Sequence, residues 1–465
     1  MKDLGVEKEY LQLIYNLNKK AIVTVQTPCG SSATFQTDPL VKQGTVLGPC
    51  MCSSSTGEYC GKNPGVCVGS TTISSLVYVD DIIDMSSTIE DFCASHQYAL
   101  LFTKMKKLTL SGTKCYWMAL NHKSKDGEIP TLKIDVEKEV LPVAEIVYLG
   151  DVFNCLGNND GLIADRIKRG TKAMIIIAAL MAETEVGVHH VEIMLLLYRS
   201  LFLSTILFNS QTWSNLRKKD IASLRKLQLK FLKRILGVAS STANAFTYLE
   251  LGVLPIDYEI EKRQLMFLHK IVQLDQSDPV FRLFVEQRRF SECGEKNWWT
   301  GVEQCLQKYD LPSDLDVIKT MSKDSFSALV KSAVSKTALL DLKAECSGLK
   351  KTAGLQYDAL KLQKYMSVLY PSEAKVIFKW RSETLDIKSH LTYKFDDFNC
   401  RGCGIEKEEP YHILDCGVND KINNDIDILS LDQIDEFTKL ELKRMVIRIN
   451  RFLERVTSED GKQDV

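Results

Sequence analysis

The pattern of apolar and polar positions changes character near Gly157. Before it, short runs alternate with a period of two, as expected when successive side chains of a strand point to opposite faces. Thr72 to Tyr78 reads as such a strand, as do Thr131 to Val136 and Glu145 to Leu149. Glu9 to Asn18 and Glu90 to Lys106 read as helices. After Gly157, apolar residues recur at helical spacing. Ala173 to Ala182 and Glu192 to Phe208 form long runs, and Ile221, Leu224, Leu227, Phe231, Leu232 and Ile235 keep one helix face, with Gly237 as a stop. A more polar helical block covers 300–385. The segment 396–417 carries Cys and Gly with little periodicity, and a final helix is expected near 429–456, before a polar tail. The mixture predicts an α+β layer followed by helices rather than a repeated βαβ unit. No internal repeat is evident.

Composition narrows this picture little. The chain has 465 residues, enough for two to four domains, with 45% hydrophobic and 26% charged residues, as in ordinary globular proteins. The 14 cysteines are scattered. Met1 to Lys8 lacks an apolar leader core, so the thiols are expected to be reduced and the protein nuclear and/or cytoplasmic. The longest apolar run, Ile193 to Phe208, is interrupted by Arg199 and reads as a buried helix, so no membrane partner is expected. Net charge is −1, so any nucleic-acid binding must come from local patches.

The sharpest local feature is Tyr78-Val79-Asp80-Asp81, preceded by strand residues and followed by Ile82-Ile83. Adjacent carboxylates at a hairpin tip repel, and a divalent cation with oxygen ligands, such as Mg²⁺, offsets that cost. Alone, the tetrapeptide reads first as an exposed acidic turn, since such strings arise often by chance. Its context adds three further blocks: Val41-Lys42-Gln43-Gly44 running to Pro49, Leu110-Ser111-Gly112-Thr113-Lys114, and Val147-Tyr148-Leu149-Gly150.

In this order and at these spacings, the four blocks resemble motifs B, C, D and E of the reverse transcriptase domain of non-LTR (LINE-like) retroelements. The resemblance covers roughly residues 1–275. It implies an RNA-directed DNA polymerase, a nucleotidyltransferase, working on an RNA template and a DNA primer or target. By resemblance, Asp80 ligates catalytic Mg²⁺ and Asp81 supports it. Gln43, Gly44 and Tyr78 lie against nucleotide or template, where a glycine lets backbone approach closely. Lys114 neutralises or protonates the leaving pyrophosphate. Tyr148, Leu149 and Gly150 form the primer grip. Taken by themselves, Lys114 is equally a solvated lysine and Gly44 an ordinary turn glycine.

Two departures stand out. Gly48-Pro49-Cys50-Met51-Cys52 replaces the usual Ser-Pro followed by bulky apolar residues. The strand that carries the first metal-binding Asp (motif A) is also not found: Asp3 and Asp38 are the only Asp residues before motif B, and neither has that context. Leu4-Gly5-Val6 and the helix after it match the segment that follows motif A. The resemblance therefore implies a full-length parent with a preceding palm and fingers segment. Phosphoryl transfer between two metals needs carboxylates from both sides.

The stretch Leu216 to Leu236 holds eight Lys or Arg and one acidic residue, Asp220. Arg225, Lys226, Lys230, Lys233 and Arg234 are candidates to meet a phosphate backbone. A solvated helix face is the other reading of this pattern. Trp213 and the Trp298-Trp299 pair read as packing. Near the C-terminus, Cys400, Cys403, His412 and Cys416 follow the spacing C-x2-C-x8-H-x3-C, which can converge tetrahedrally on Zn²⁺; otherwise they are four unlinked residues. A CCHC module downstream of the polymerase also agrees with the resemblance. Zinc is expected to organise a segment too short for its own core. The nearby acids Glu406, Glu408, Glu409, Asp415 and Asp420 argue against strong phosphate contact.

The expected organisation is a partial palm (1–155), a helical thumb (156–275), a mostly helical connector (276–395), a zinc module (396–420) and a C-terminal helix with tail (421–465). The alternative is a non-enzymatic nucleic-acid-binding scaffold derived from such an element. Without motif A, the purified chain is expected to extend no RNA-templated primer in Mg²⁺. Extension in a primer-extension assay would overturn that expectation.

Overall fold

The change of periodicity near Gly157 corresponds to a change of architecture in the computed structural model of the protein. Short strands and hairpins precede it and helices follow, so the fold is mixed α+β. The structure describes residues 5–19, 21–37, 48–120, 131–134, 138–182, 187–352, 354–416 and 436–460. The chain divides into two compact units, up to Ile146 and from Val147 onward. Among the described residues, no helix is long and apolar enough to cross a membrane.

The first unit combines the helices Lys8–Asn18, Gly48–Thr56 and Ile89–Met105 with small sheets. The last of these helices starts where expected because Thr88 caps it, its side chain accepting the Asp91 N–H at 3.1 Å. The alternating run Thr72 to Tyr78 is not one strand. Thr71–Ile73 pairs with Val66–Val68, and Ser75–Tyr78 pairs with Asp81–Asp84. The break falls at Ser74, whose hydroxyl accepts the Gly61 N–H at 3.2 Å. Alternation alone cannot mark where one hairpin hands over to the next. At the base of the second hairpin, Asp84 accepts hydrogen bonds from Tyr59 Oη (2.5 Å), Ser75 Oγ (2.7 Å) and Asn63 Nδ2 (3.0 Å). The Tyr59 ring packs on Tyr98 and Phe102, with centroids 5.2 and 5.1 Å away.

The second unit opens with the helix Asp160–Ala182. His190–Leu197 continues through a π-helical turn, Tyr198–Leu203, into Ser204–Ile206. Lys218–Leu236 follows, closed by Gly237 in the left-handed region (φ 61°) as its sequence predicts. Gly170 permits a close helix crossing: a Cβ there would lie 2.4 Å from Ile206 Cγ2 and 2.9 Å from Leu227 Cδ2. The rings of Tyr198, Phe202 and Phe231 stack at the centre of the core. The run read as a wholly buried helix is buried on one face only, with Leu196, Leu201 and Phe208 exposed.

A second cluster of apolar side chains surrounds the helix Ile256–Val272 and draws on residues as far as Ala338. It contains Trp298 and Trp299, which are buried, while Trp213 lies buried in the first core. The chain then returns to the first core through Leu342 to Ile387, the Cys-containing segment and the helix Glu436–Asp460. That last helix buries Leu442, Met445, Val446, Ile449, Phe452 and Val456, the spacing of one apolar face.

A buried polar knot joins the returning segment to the helix Asn244–Leu251. Glu250 Oε1 accepts from Tyr357 Oη (2.6 Å), Arg381 Nε (3.0 Å) and Arg381 Nη2 (2.9 Å), and Oε2 accepts from Tyr365 Oη (2.6 Å). Both charged side chains are wholly buried. Burial and the adjacent carboxylate push both phenols well above their ordinary range, so they remain donors. Removing one partner of a buried pair strands the other charge. Glu250→Ala should therefore destabilise the second unit by about 3–5 kcal/mol in urea unfolding. Glu250→Ala combined with Arg381→Ala should cost less than the sum of the two single changes, and strict additivity would show that the pair does not act as one.

Candidate functional site

The segment from Lys388 to Cys416 is built to bring four metal-binding side chains together. Cys400 starts a tight turn in which its N–H bonds the Glu406 carbonyl at 2.7 Å, and the Gly404 N–H returns to the Cys400 carbonyl at 2.8 Å. Gly404 takes a left-handed conformation (φ 72°). The helix Pro410–Asp415 begins with a proline at its first turn, carries His412, and places Cys416 at its end. The ligand atoms of Cys400, Cys403, His412 and Cys416 lie within 4.8 Å of one another, and they form the group of three or more such ligands found among the described residues.

The distances fit a tetrahedral ion. Zn–S bonds of about 2.3 Å and Zn–N bonds of about 2.0 Å put two sulfurs about 3.8 Å apart, and sulfur and nitrogen about 3.5 Å apart. Cys400 Sγ and Cys416 Sγ are 3.8 Å apart, and Cys403 Sγ and His412 Nε2 are 3.4 Å apart. His412 Nδ1 lies 2.8 Å from Glu406 Oε2, which leaves Nε2 as the ligand atom. Backbone N–H groups of Glu406 and Ile405 lower the Cys403 thiol to about 6, whereas burial raises the Cys400 thiol to about 12. A cation bound between them would favour ionisation of the buried thiol. The cluster is thus able to hold a metal ion such as Zn²⁺.

This segment is not the coreless module its composition suggests. Cys400, Cys416, Ile413 and Leu414 are buried in the main core of the second unit. The acids beside it are partly committed inward. Glu408 is fully buried and accepts from the backbone N–H groups of Lys388 (3.1 Å) and Arg401 (2.9 Å) and from Arg401 Nη2 (2.7 Å). Glu406 and Glu408 carry structural work that sequence reading missed. A Glu six residues before a candidate ligand His is a local signal for the former.

In the first unit, Tyr78 and Asp81 pair across a turn made by Val79 and Asp80. Val79 adopts φ 59°, an outlier for a β-branched residue. Tyr78, Asp80 and Asp81 are exposed. The helix Gly48–Thr56 reaches this turn: the Thr56 hydroxyl, which bonds the Cys52 carbonyl at 2.9 Å, also lies 3.3 Å from the Val79 carbonyl. Gln43 and Gly44 lie outside the described residues. Lys114 sits in an exposed turn, and no hydrogen bond or ion pair among the described residues links it to Asp80 or Asp81.

The Tyr148-Leu149-Gly150 block forms the turn between the strands Glu145–Tyr148 and Asp151–Asn154. Leu149 (φ 47°) and Gly150 (φ 86°) both take the left-handed conformation favoured in tight hairpins. The buried Arg166 donates to the Gly150 carbonyl at 2.9 Å and pairs with Asp151, which also accepts from Asn209. The Arg166 guanidinium lies over the Phe208 ring, 5.2 Å from its centroid. The turn of the hairpin is therefore tied to the helices that follow it.

Two of the five cations expected to face phosphate are engaged by partners within the chain. Arg225 Nη2 bonds both oxygens of Asp257 at 2.7 Å. Lys233 is buried and donates to the Ser240 carbonyl (2.6 Å) and Asn244 Oδ1 (2.8 Å). Lys226, Lys230 and Arg234 remain exposed. Compared with models of known protein families and with curated proteins, the chain matches none.

The metal cluster makes its own prediction. The purified chain should carry one zinc equivalent by elemental analysis and lose it in Cys403→Ser. Glu406→Ala should weaken zinc affinity about 10–100-fold in chelator competition. Because thiols must lose protons to ligate, affinity should fall as pH falls. Chelation should lower the unfolding temperature of the second unit, since two ligands are core residues. A metal-free chain with unchanged unfolding in Cys403→Ser would refute the site.

Proposed function

We propose that this chain is part of an RNA-directed DNA polymerase of the non-LTR retroelement kind. In this reading the segment around the acidic turn is palm and the helices from Asp160 onward are thumb. The observation that carries the reading is the approach of Thr56 Oγ1 to the Val79 carbonyl. It joins the helix Gly48–Thr56, which follows the Gln43-Gly44 block in sequence, to the Asp80-Asp81 turn, as expected if the two blocks are neighbours in a polymerase palm. The anchored Tyr148-Leu149-Gly150 hairpin supports it, since a primer grip must hold a primer end against the helices behind it.

Asp80 would ligate Mg²⁺, with Asp81 beside it, and the ions would stabilise the attacking and leaving oxygens of nucleotidyl transfer. Tyr78, exposed next to the turn, would contact nucleotide or template. Lys114 would serve the leaving group from its exposed turn. Lys226, Lys230 and Arg234 would follow the nucleic-acid backbone. The Cys400, Cys403, His412 and Cys416 cluster would hold zinc in a structural role.

The reading predicts selectivity. The chain should bind a short RNA–DNA hybrid more tightly than duplex DNA of the same length in fluorescence anisotropy. Asp80→Asn combined with Asp81→Asn should abolish Mn²⁺-dependent paramagnetic broadening of signals from the hairpin. Equal binding of both duplexes, together with no metal response at Asp80, would sink the polymerase reading.

A further inference from the structure

The cations of the helix Lys218–Leu236 are not treated alike. At its start, Arg217 pairs with Asp160 and Asp220, and Lys219 pairs with Asp160. Arg225 and Lys233 are also engaged internally. Lys226, Lys230 and Arg234 stand at i, i+4 and i+8, so they form one exposed stripe with a rise of about 6 Å per step. Among the described residues, no carboxylate is bonded to any of the three. The chain holds 60 acidic residues against 59 basic ones, so this stripe is a local departure from general neutralisation.

The stripe ends at Gly237, where a second helix arrives. A Cβ built on Gly237 would meet the Lys375 ammonium at 3.7 Å. Lys375 and Lys379 lie one turn apart on the helix Pro371–Arg381, in a region where the sequence shows no motif. Neither is bonded to a carboxylate among the described residues. Lys379 is half-buried; burial and the neighbouring Lys375 lower its pKa, while Asp386 acts in the opposite direction without bonding to it. Arg234 and Lys375 complement the negative end of the Lys218–Leu236 helix, which accounts for those two cations. It does not account for Lys226, Lys230 or Lys379, which lie farther from the helix end or on the other helix.

We propose that Lys226, Lys230, Arg234, Lys375 and Lys379 form one composite surface, built from two helices about 140 residues apart, that binds the phosphate backbone of a nucleic acid. The spacing suits the ligand: cations about 6 Å apart along one helix can each meet a phosphate of a strand that carries one charge per nucleotide. A half-buried lysine lacking an anion gains most from one arriving. The proposal deepens the polymerase reading by giving the segment 276–395 a part in binding, yet it requires only a polyanionic strand.

The test measures affinity of the full chain for a labelled RNA–DNA hybrid across a range of KCl concentrations. Lys375→Glu with Lys379→Glu should weaken binding tenfold or more at low salt. It should also reduce the slope of log affinity against log salt by about two, near one for each phosphate no longer neutralised. Lys226→Glu with Lys230→Glu should do the same. Lys331→Glu with Lys336→Glu, exposed on another helix, should leave both unchanged. Lys375→Gln with Lys379→Gln, a milder change, guards against misfolding and should give a smaller shift in the same direction. If the Lys375 and Lys379 variants keep the wild-type slope while the Lys226 and Lys230 variant lowers it, the composite surface is wrong and the polymerase reading stands. If both lysine pairs lower the slope but the hybrid is not preferred over duplex DNA and Asp80 shows no metal response, the surface stands and the polymerase reading fails.

Discussion

The second unit depends on one buried ion pair. Glu250 and Arg381 lie 131 residues apart in sequence and meet with no exposure to water. An unpaired charge there would be far too costly, so the helix Asn244–Leu251 and the helix Pro371–Arg381 must dock together or not at all. Two tyrosines complete the carboxylate's hydrogen bonding, and the Gln363 N–H closes on the Glu250 carbonyl at 3.0 Å. Such a fully satisfied knot specifies one arrangement among the many that apolar packing alone would permit. The same docking brings Lys375 to the end of the Lys218–Leu236 helix, so the basic surface inherits its geometry from this pair.

The metal cluster works on a shorter scale but reaches the same core. Its two buried thiols, Cys400 and Cys416, belong to the same apolar core as side chains of the helix Glu436–Asp460. The Trp380 ring meets Tyr411 edge-on, with centroids 5.7 Å apart, and so connects the helix that bears Arg381 to the helix that bears His412. The Cys/His cluster, the ion pair and the apolar core are therefore parts of one unit, and a ligand held by one is expected to stabilise all of them.

What could be read from the sequence was local. The helices Ile89–Met105 and Lys218–Leu236 follow from apolar spacing, a Thr cap and a Gly stop, all within a few residues. The four candidate metal ligands span only 17 residues, so their spacing carries most of their geometry. The Glu250 knot could not be read, because Tyr357, Tyr365 and Arg381 lie 107 to 131 residues away and nothing local distinguishes them. Nor could sequence tell Arg225 and Lys233 from Lys226 and Lys230. All four are cations on one helix, and only the tertiary partners Asp257, Ser240 and Asn244 separate them.

The π-helical turn at Tyr198–Leu203 bears on how this chain can vary. Met194, Tyr198, Phe202 and Ile206 are buried at a step of four, wider than the 3.6 residues of an α-helix turn. Regular winding would rotate this row away from the core by about 40° per step. The wider turn removes that drift and leaves Arg199 facing solvent in the middle of the most apolar stretch. A turn of this kind is one residue longer than its α-helical counterpart. Homologous chains are thus free to differ here by a single-residue gap, while the aromatic stack on either side stays in place.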